Sequence, residues 1–251
     1  MIDISPLAQI GVRLVRPAMV VGSMPSMGGT SVPPIAKVGI ALILAVTLLP
    51  AAAEQPISGD RLLFVIVREV VIGLALAMAG NLVLAAAEAA GSLVGFQLGF
   101  SYATIVDPQT SARSNVFTGL YGLLATLTFL AVNGHHAVIR ALSTSYEVLP
   151  IGAGGVSPSL VATVARMFAL VLTVGVRLAA PIVVGLFVAE VALGVIARAA
   201  PALNLMTVGF TIRSMLGLLI FTYTLGVIPS VMTGVVPTVL ELAQRLAMAL
   251  R

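Results

Sequence analysis

The residues of this chain that could do chemistry are few and scattered. His135 and His136 are its only imidazoles, and it has no cysteine. Zinc needs three or four ligands, and side chains adjacent on a helix point to different faces. The pair therefore reads as a polar helix end or a packing element, not as a metal site. Gly152-Ala153-Gly154-Gly155 has the look of a phosphate-cradling loop. No Lys-Ser or Lys-Thr follows, as a nucleotide-binding loop requires, so a turn is the simpler reading. No serine occupies a Gly-x-Ser-x-Gly elbow, and the nine acidic residues are spread along the chain without a catalytic pair. These residues predict no enzyme, no metal and no cofactor.

The charges that stand out lie inside apolar segments, where a charge is costly and faces protein or water. Arg68, Glu69, Glu88, Arg166, Arg177, Glu190 and Arg198 are of this kind. Glu190 and Arg198, eight apart on a helix, lie nearly on one face about 12 Å from each other. Together with Arg213 they are expected to form interhelical ion pairs that fix assembly. The alternative, a proton or ion path, would want several acids on one stripe, and arginines outnumber acids in these segments.

One stretch combines a packing signal with an irregular one. Gly91, Gly95 and Gly99 recur at four-residue spacing, and Ala87 extends the row backwards. Such a row on one helix face admits another backbone closely. From Ser101 to Asn115 the pattern becomes polar, with Asp107-Pro108, while Tyr102, Ile105 and Val106 remain apolar. Proline disfavours helix at the residue before it, so a loop is predicted here. By itself it reads first as a connection with an Asp-Pro turn, which loops commonly carry, and second as something functional.

Composition decides the class. Apolar residues make up 59% of 251 and charged ones only 9%, against about 25% charged in a soluble domain. Mean hydropathy is +1.14. This is the composition of an integral membrane protein. Tryptophan, a usual marker of bilayer interfaces, is absent. The 13 basic residues form no cluster with aromatics, which argues against nucleic-acid binding. No signal peptide is expected, since an acid stands in MIDISPLAQ where a basic region belongs.

The elements that must position these residues are long apolar helices, five or six in number. Helix is expected at 4–21, interrupted by Pro17, with a Pro- and Gly-rich loop from Gly22 to Pro34. A second helix is expected at Ile35–Ala53. Asp60 to Phe100 has no strong break; it either turns back near Gly80-Asn81 or runs well past a hydrocarbon core of about 30 Å. Ser114–Ile139 is another uncharged run, Arg140–Pro158 a loop, Leu160–Ala200 a long helix with Pro181 as a kink, and Ser214–Leu240 a further span. The tail ELAQRLAMALR is amphipathic. If these elements alternate across a membrane, arginine and lysine fall about equally on both sides. That suits helices packed on other protein better than helices ruled by lipid.

Several phrases, in order, resemble one family. They are Gln97 to Pro108 (QLGFSYATIVDP), Phe129 to His136 (FLAVNGHH), Leu149-Pro150, Leu193 to Asn204 (LGVIARAAPALN) and Val208-Gly209-Phe210, with the turn from Pro25 to Pro33 ahead of Lys37. The chain resembles, over essentially its whole length, the FliR/SctT family of type III export-gate subunits. It departs at Leu98, Ile105, Ala202 and Thr211, where the family often has Met, Phe, Gln and Pro. The resemblance implies an all-α polytopic membrane protein with a FliP-like part (about 1–160) and a FliQ-like part (about 161–251). It implies assembly with FliP-like and FliQ-like subunits, FlhA-like and FlhB-like proteins beneath them, and unfolded protein substrates crossing the bacterial inner membrane at the flagellar basal body. It also implies that a loop at about Phe100–Asn115 plugs the closed pore, with Phe100, Tyr102, Ile105, Val106, Asp107 and Pro108 as its residues, and it gives Gly91, Gly95 and Gly99 the role of a subunit interface. A virulence injectisome subunit is the nearest alternative. A secondary transporter is the more distant one, and would show inverted repeats.

Overall fold

A computed structural model describes residues 5–24, 32–48, 61–100, 115–151, 158–199 and 205–249. Among these the chain is all helix: α1 (Ser5–Ser23), α2 (Pro34–Leu48), α3 (Leu62–Gln97), α4 (Val116–Ala131), α5 (Gly134–Val148), α6 (Ser159–Ala199), α7 (Leu205–Thr224) and α8 (Val227–Ala249). Three of them, α3, α6 and α8, are long and apolar enough to cross a bilayer, and α4 with α5 would make a fourth if taken as one broken span. The molecule is thus an all-α, multi-pass membrane protein by the length and composition of its helices.

The 36 residues of α3 and the 41 of α6 correspond to about 54 and 62 Å of helix. Of the two possibilities for Asp60–Phe100, the continuous helix is the one observed. The polar Gly80-Asn81 step does not turn. Asn81 instead donates its side-chain amide to the carbonyl of Ser23 at the end of α1 and to Ala77 one turn back. A polar residue that looked like a break is a clasp on a neighbouring helix end. In α6 the helix continues across Pro181.

Three boundaries differ from the sequence reading. Arg140–Pro158 is not all loop: α5 continues to Val148. Its buried positions Val138, Ala141, Leu142, Ser145, Tyr146 and Leu149 have helical spacing, but polar residues fill its other face and hid it. The uncharged run Ser114–Ile139 is two helices, because Asn133 takes a left-handed conformation (φ 57°) between them. The run Ser214–Leu240 is likewise split near Leu225 and Gly226, between α7 and α8. The amphipathic tail belongs to α8, which buries Leu242, Ala243, Leu246 and Ala249 while Glu241, Gln244 and Arg245 stay exposed.

The chain groups into two compact units. The first contains residues 1–83, 129–169 and 236–251. Val12, Val20, Ile72, Leu76, Leu142 and Leu149 are buried in it, and α1 packs on α2. Its centre is polar. Arg16 and Glu69, both fully buried, meet side by side: Nε donates to Oε2 at 2.7 Å and Nη2 to Oε1 at 2.9 Å. Two further donors go to Ser145 Oγ (3.0 Å) and the carbonyl of Leu149 (3.1 Å). The Tyr146 ring lies 4.3 Å from the guanidinium carbon. One arginine thereby ties α1 to α3 and to α5. Close to it, a side chain at Gly73 would stand 2.9 Å from the Arg16 carbonyl, so α1 and α3 touch backbone to backbone.

The second unit contains 84–128 and 170–235. Its α3 segment buries Ala86, Ala87, Ala90, Gly91, Val94, Gly95 and Leu98, one continuous face of small and apolar residues. From α6 it takes Val174, Leu178, Ile182 and Leu186 at four-residue spacing.

Removing one partner of a buried, hydrogen-bonded ion pair strands the other charge, which costs about 3–5 kcal/mol. Arg16→Ala is expected to destabilise the first unit by that order and to lower the melting temperature of the detergent-solubilised chain markedly. Arg16→Met with Glu69→Leu should recover most of the loss, since both charges go together. A double variant no more stable than Arg16→Ala would show that the pair is not the tie described.

Candidate functional site

The loop singled out in the sequence lies mostly outside the described residues: Tyr102, Ile105, Val106, Asp107 and Pro108 all fall between 101 and 114. The two ends that carry it are described, and both are tightly built. At the outgoing end α3 stops in a paired-bond cap. Phe100 N–H donates to the Gly95 carbonyl and Gly99 N–H to the Phe96 carbonyl, both at 3.0 Å. Gly99 has φ +83°. This is the Schellman arrangement, whose left-handed residue is normally glycine. A side chain at Gly99 would also come within 3.0 Å of the Phe210 ring.

At the returning end Asn115 caps α4. Its Oδ1 accepts the N–H of Phe117 at 2.8 Å, satisfying one of the free donors of the first turn. The asparagine side chain sits directly where a side chain at Gly95 would go. Gly91 faces the next turn of α4: a Cβ there would lie 2.6 Å from the Phe117 carbonyl oxygen and 2.7 Å from Thr118 Cα. The glycine row is therefore the seat of the start of α4 within this chain. Gly91 and Gly95 accept it, while Gly99 ends the helix that carries them.

Aromatic rings close the two ends together. Phe100 meets Phe117 edge-on with centroids 5.5 Å apart, Phe117 meets Phe221 of α7 at 5.1 Å and 89°, and Tyr121 lies 5.8 Å from Phe221. Edge-to-face contacts of this kind are each worth about 0.5–1.5 kcal/mol beyond their burial. The chain leaves α3 at Phe100 and returns beside it at Phe117, held there by a ring from a third helix.

The charged candidates are also brought together in part. Arg213 of α7 is ion-paired with Glu190 of α6, each side chain 36% exposed. A pair this open contributes at most about 1 kcal/mol when facing water, and more where water is excluded. Arg198, expected to join them, is exposed near the end of α6. The sequence spacing led to the expectation that Glu190 and Arg198 each meet a partner on another helix; α7 supplies Arg213 as the partner of Glu190 from across the hairpin. The two histidine rings lie with centroids 4.2 Å apart and planes tilted by 37°, and His136 Nδ1 is 3.2 Å from Asn133 Oδ1. Among the described residues no three His, Cys, Asp or Glu gather as metal ligands would.

The sequence reading missed Asn115 as a cap and Phe117, Phe210 and Phe221 as the aromatic contacts of the two ends. Asn115 had a legible signal, an Asn just before an apolar run. The three phenylalanines had none, because their contacts come from remote parts of the chain.

Residues 7–238 match the family model described as bacterial export proteins, family 1. The chain is 29% identical over 235 residues to the flagellar biosynthetic protein FliR of Escherichia coli (strain K12), covering 93% of this chain and 86% of that one. It is 27% identical over 229 residues to FliR of Bacillus subtilis (strain 168), covering 89% and 88%. Over 185 residues it is 30% identical to the Yop proteins translocation protein T of Yersinia pestis, covering 70% and 69%.

Gly91 and Gly119 give a paired test of the seat. Ala at Gly91 must push against backbone and is expected to cost about 1–3 kcal/mol as an overpacked contact. Ala at Gly119, where nothing lies within 4 Å, should be neutral or slightly stabilising because alanine favours helix. Equal melting temperatures for the two variants would remove the close approach at Gly91.

Proposed function

This chain belongs to the bacterial export proteins, family 1, and from that membership we propose that it is a membrane subunit of the flagellar type III protein-export apparatus. The observation that carries the reading is the match along nearly the whole chain to flagellar biosynthetic proteins. In this reading the protein works in the bacterial inner membrane, at the flagellar basal body. It assembles with FliP-like and FliQ-like membrane subunits into a gate, above FlhA-like and FlhB-like proteins, through which unfolded protein subunits pass. Its first 160 or so residues take the FliP-like role and the remainder the FliQ-like role. No step in this function makes or breaks a covalent bond, and no cofactor is called for.

The segment from Phe100 to Asn115 is the plug of the closed pore. Two features support this. Its ends are held side by side by Phe100, Phe117 and Phe221, so the chain must come back close to where it departs. At about 3.3 Å per extended residue, such an excursion can reach about 25 Å from its base, enough to span a narrow pore. Its sequence also combines apolar Tyr102, Ile105 and Val106, which exclude water, with Asp107-Pro108, which resists regular structure. The Glu190–Arg213 pair fixes the α6–α7 hairpin on which partner subunits assemble.

The injectisome reading has one observation in its favour, the 30% identity to the Yersinia translocation protein. That match covers 70% of this chain, against 93% for the Escherichia protein, which favours the flagellar pathway.

Deletion of Thr104–Arg113 is expected to leave the complex assembled and to raise membrane conductance to small ions. Unchanged conductance in cells holding the assembled, shortened protein would refute the plug. Glu190→Ala and Arg213→Ala are each expected to lower recovery of FliP-like and FliQ-like subunits with a tagged chain several-fold. Full recovery from both variants would remove the pair from assembly.

A further inference from the structure

The part of α6 from Leu178 to Ala197 carries a single charge, Glu190, and that charge is turned toward Arg213 of α7. Outside the stripe that packs inward, the segment is open. Val184 is 60% exposed, Val188 61%, Val191 53% and Val195 67%. At 100° per residue these four fall within about 60° of one another, on the face that also carries the exposed Arg177 at one end and the exposed Arg198 at the other. Glu190 lies on the flank, about 100° or more from the middle of that stripe. Arg177 and Arg198 are separated by about 31 Å along the helix axis at 1.5 Å per residue.

That length equals the thickness of a bilayer's hydrocarbon core, about 30 Å. A guanidinium facing acyl chains is costly, and long basic side chains near the ends of a span reach to the headgroups instead. A valine stripe bounded by one arginine at each end, with no charge on its own face, fits acyl chains between two layers of phosphates. We propose that this stripe is a lipid-facing surface of the chain. Arg177 and Arg198 lie at the two headgroup levels, each hydrogen-bonding lipid phosphate, and Val184, Val188, Val191 and Val195 face the hydrocarbon between them. Charge complementarity between guanidinium and phosphate, and the match of spacing to thickness, select lipid over a partner helix. An apolar partner helix would leave the two arginines without acceptors unless it carried carboxylates at the same spacing.

The assignment fixes the depth of α6. The bilayer's midplane falls near Val188, and the helix from Ser159 to Val176 runs on outside the hydrocarbon. It explains why a 41-residue apolar helix tolerates Arg166 and Arg177: neither lies within the hydrocarbon core. It rests on the chain being a membrane protein and is independent of the plug.

The chain has no native cysteine, so single nitroxide labels can be placed at Val184, Val188, Val191 and Val195. The export complex is purified through a tag on this chain, with the cysteines of other subunits replaced, and set in nanodiscs of phosphatidylethanolamine and phosphatidylglycerol. Collision rates with oxygen and with a water-soluble nickel chelate are then measured. The expected result is a high oxygen-to-nickel ratio that peaks at Val188 and falls toward Val195 as the headgroups near. Low collision rates with both reagents at Val188 and Val191 would mean that protein covers the stripe, and would overturn the proposal. So would a high nickel rate at Val188, which would mean water. In either case co-purification of partner subunits still reports on the export reading, so the two failures are separable.

Discussion

A charge placed among apolar helices has to find its counter-charge before the helices can settle, and Arg16 with Glu69 shows how strongly that constrains the fold. Each carboxylate oxygen takes one guanidinium donor, and two further donors take Ser145 and the Leu149 carbonyl. Four acceptors from α3 and α5 must therefore sit at hydrogen-bonding distance from one residue of α1. Hydrophobic contact alone is indifferent to a slide or rotation of one apolar helix on another. A bidentate arginine is not, because moving by one turn would bury both charges unpaired. The pair need add little net stability over an apolar replacement; what it fixes is register. The clasp of Asn81 on Ser23 works in the same direction, meeting a helix-end carbonyl that would otherwise lack a partner.

In the second unit, register is fixed by shape. Small residues on α3 leave room, and α4 fills it with its own backbone and with the Asn115 side chain. Close approach raises dispersion contact along the whole crossing and works without a driving force from water, which suits helices that sit in lipid or against other membrane proteins. The two units thus use different devices for one task. The first spends a buried ion pair, while the second uses the absence of side chains.

The sequence displayed the class, the long helices and the glycine row plainly, because each depends on local pattern: charge content, length without breaks, and four-residue spacing. It did not display α5 beyond Ile139, since a helix with Arg140, Ser143, Thr144 and Glu147 on one face looks like a loop until its buried face is known. It showed that Glu190 and Arg198 would each want a partner from another helix, but not which residue meets which, because the fold of α7 back onto α6 that brings Arg213 to Glu190 is not visible in one helix. The aromatic base of the loop was hidden for the same reason: Phe100, Phe117 and Phe221 are distant in the chain and adjacent only after α3, α4 and α7 have packed. What could be read was whatever a single element determines; what could not was whatever requires two.

That division bears on the segment between Phe100 and Asn115. Its sequence is poor in regular pattern, which by itself is compatible with an idle connection. The ends argue otherwise. An idle connection between two helices asks only for a turn, and loops that join helices in bundles are commonly about 2–8 residues. Here a glycine stop, an asparagine cap, two glycine seats and three phenylalanines in edge-to-face contact hold the exits close together, while the chain between them is longer than the closure needs. Fixing the exits costs entropy that a short turn would have avoided. Rigid exits around a long excursion separate two requirements. The helices keep their packing whatever the segment between them does, and a change in that segment need not disturb them. The plug we propose for this segment, which would seal and withdraw within an assembly that must not come apart, depends on that separation.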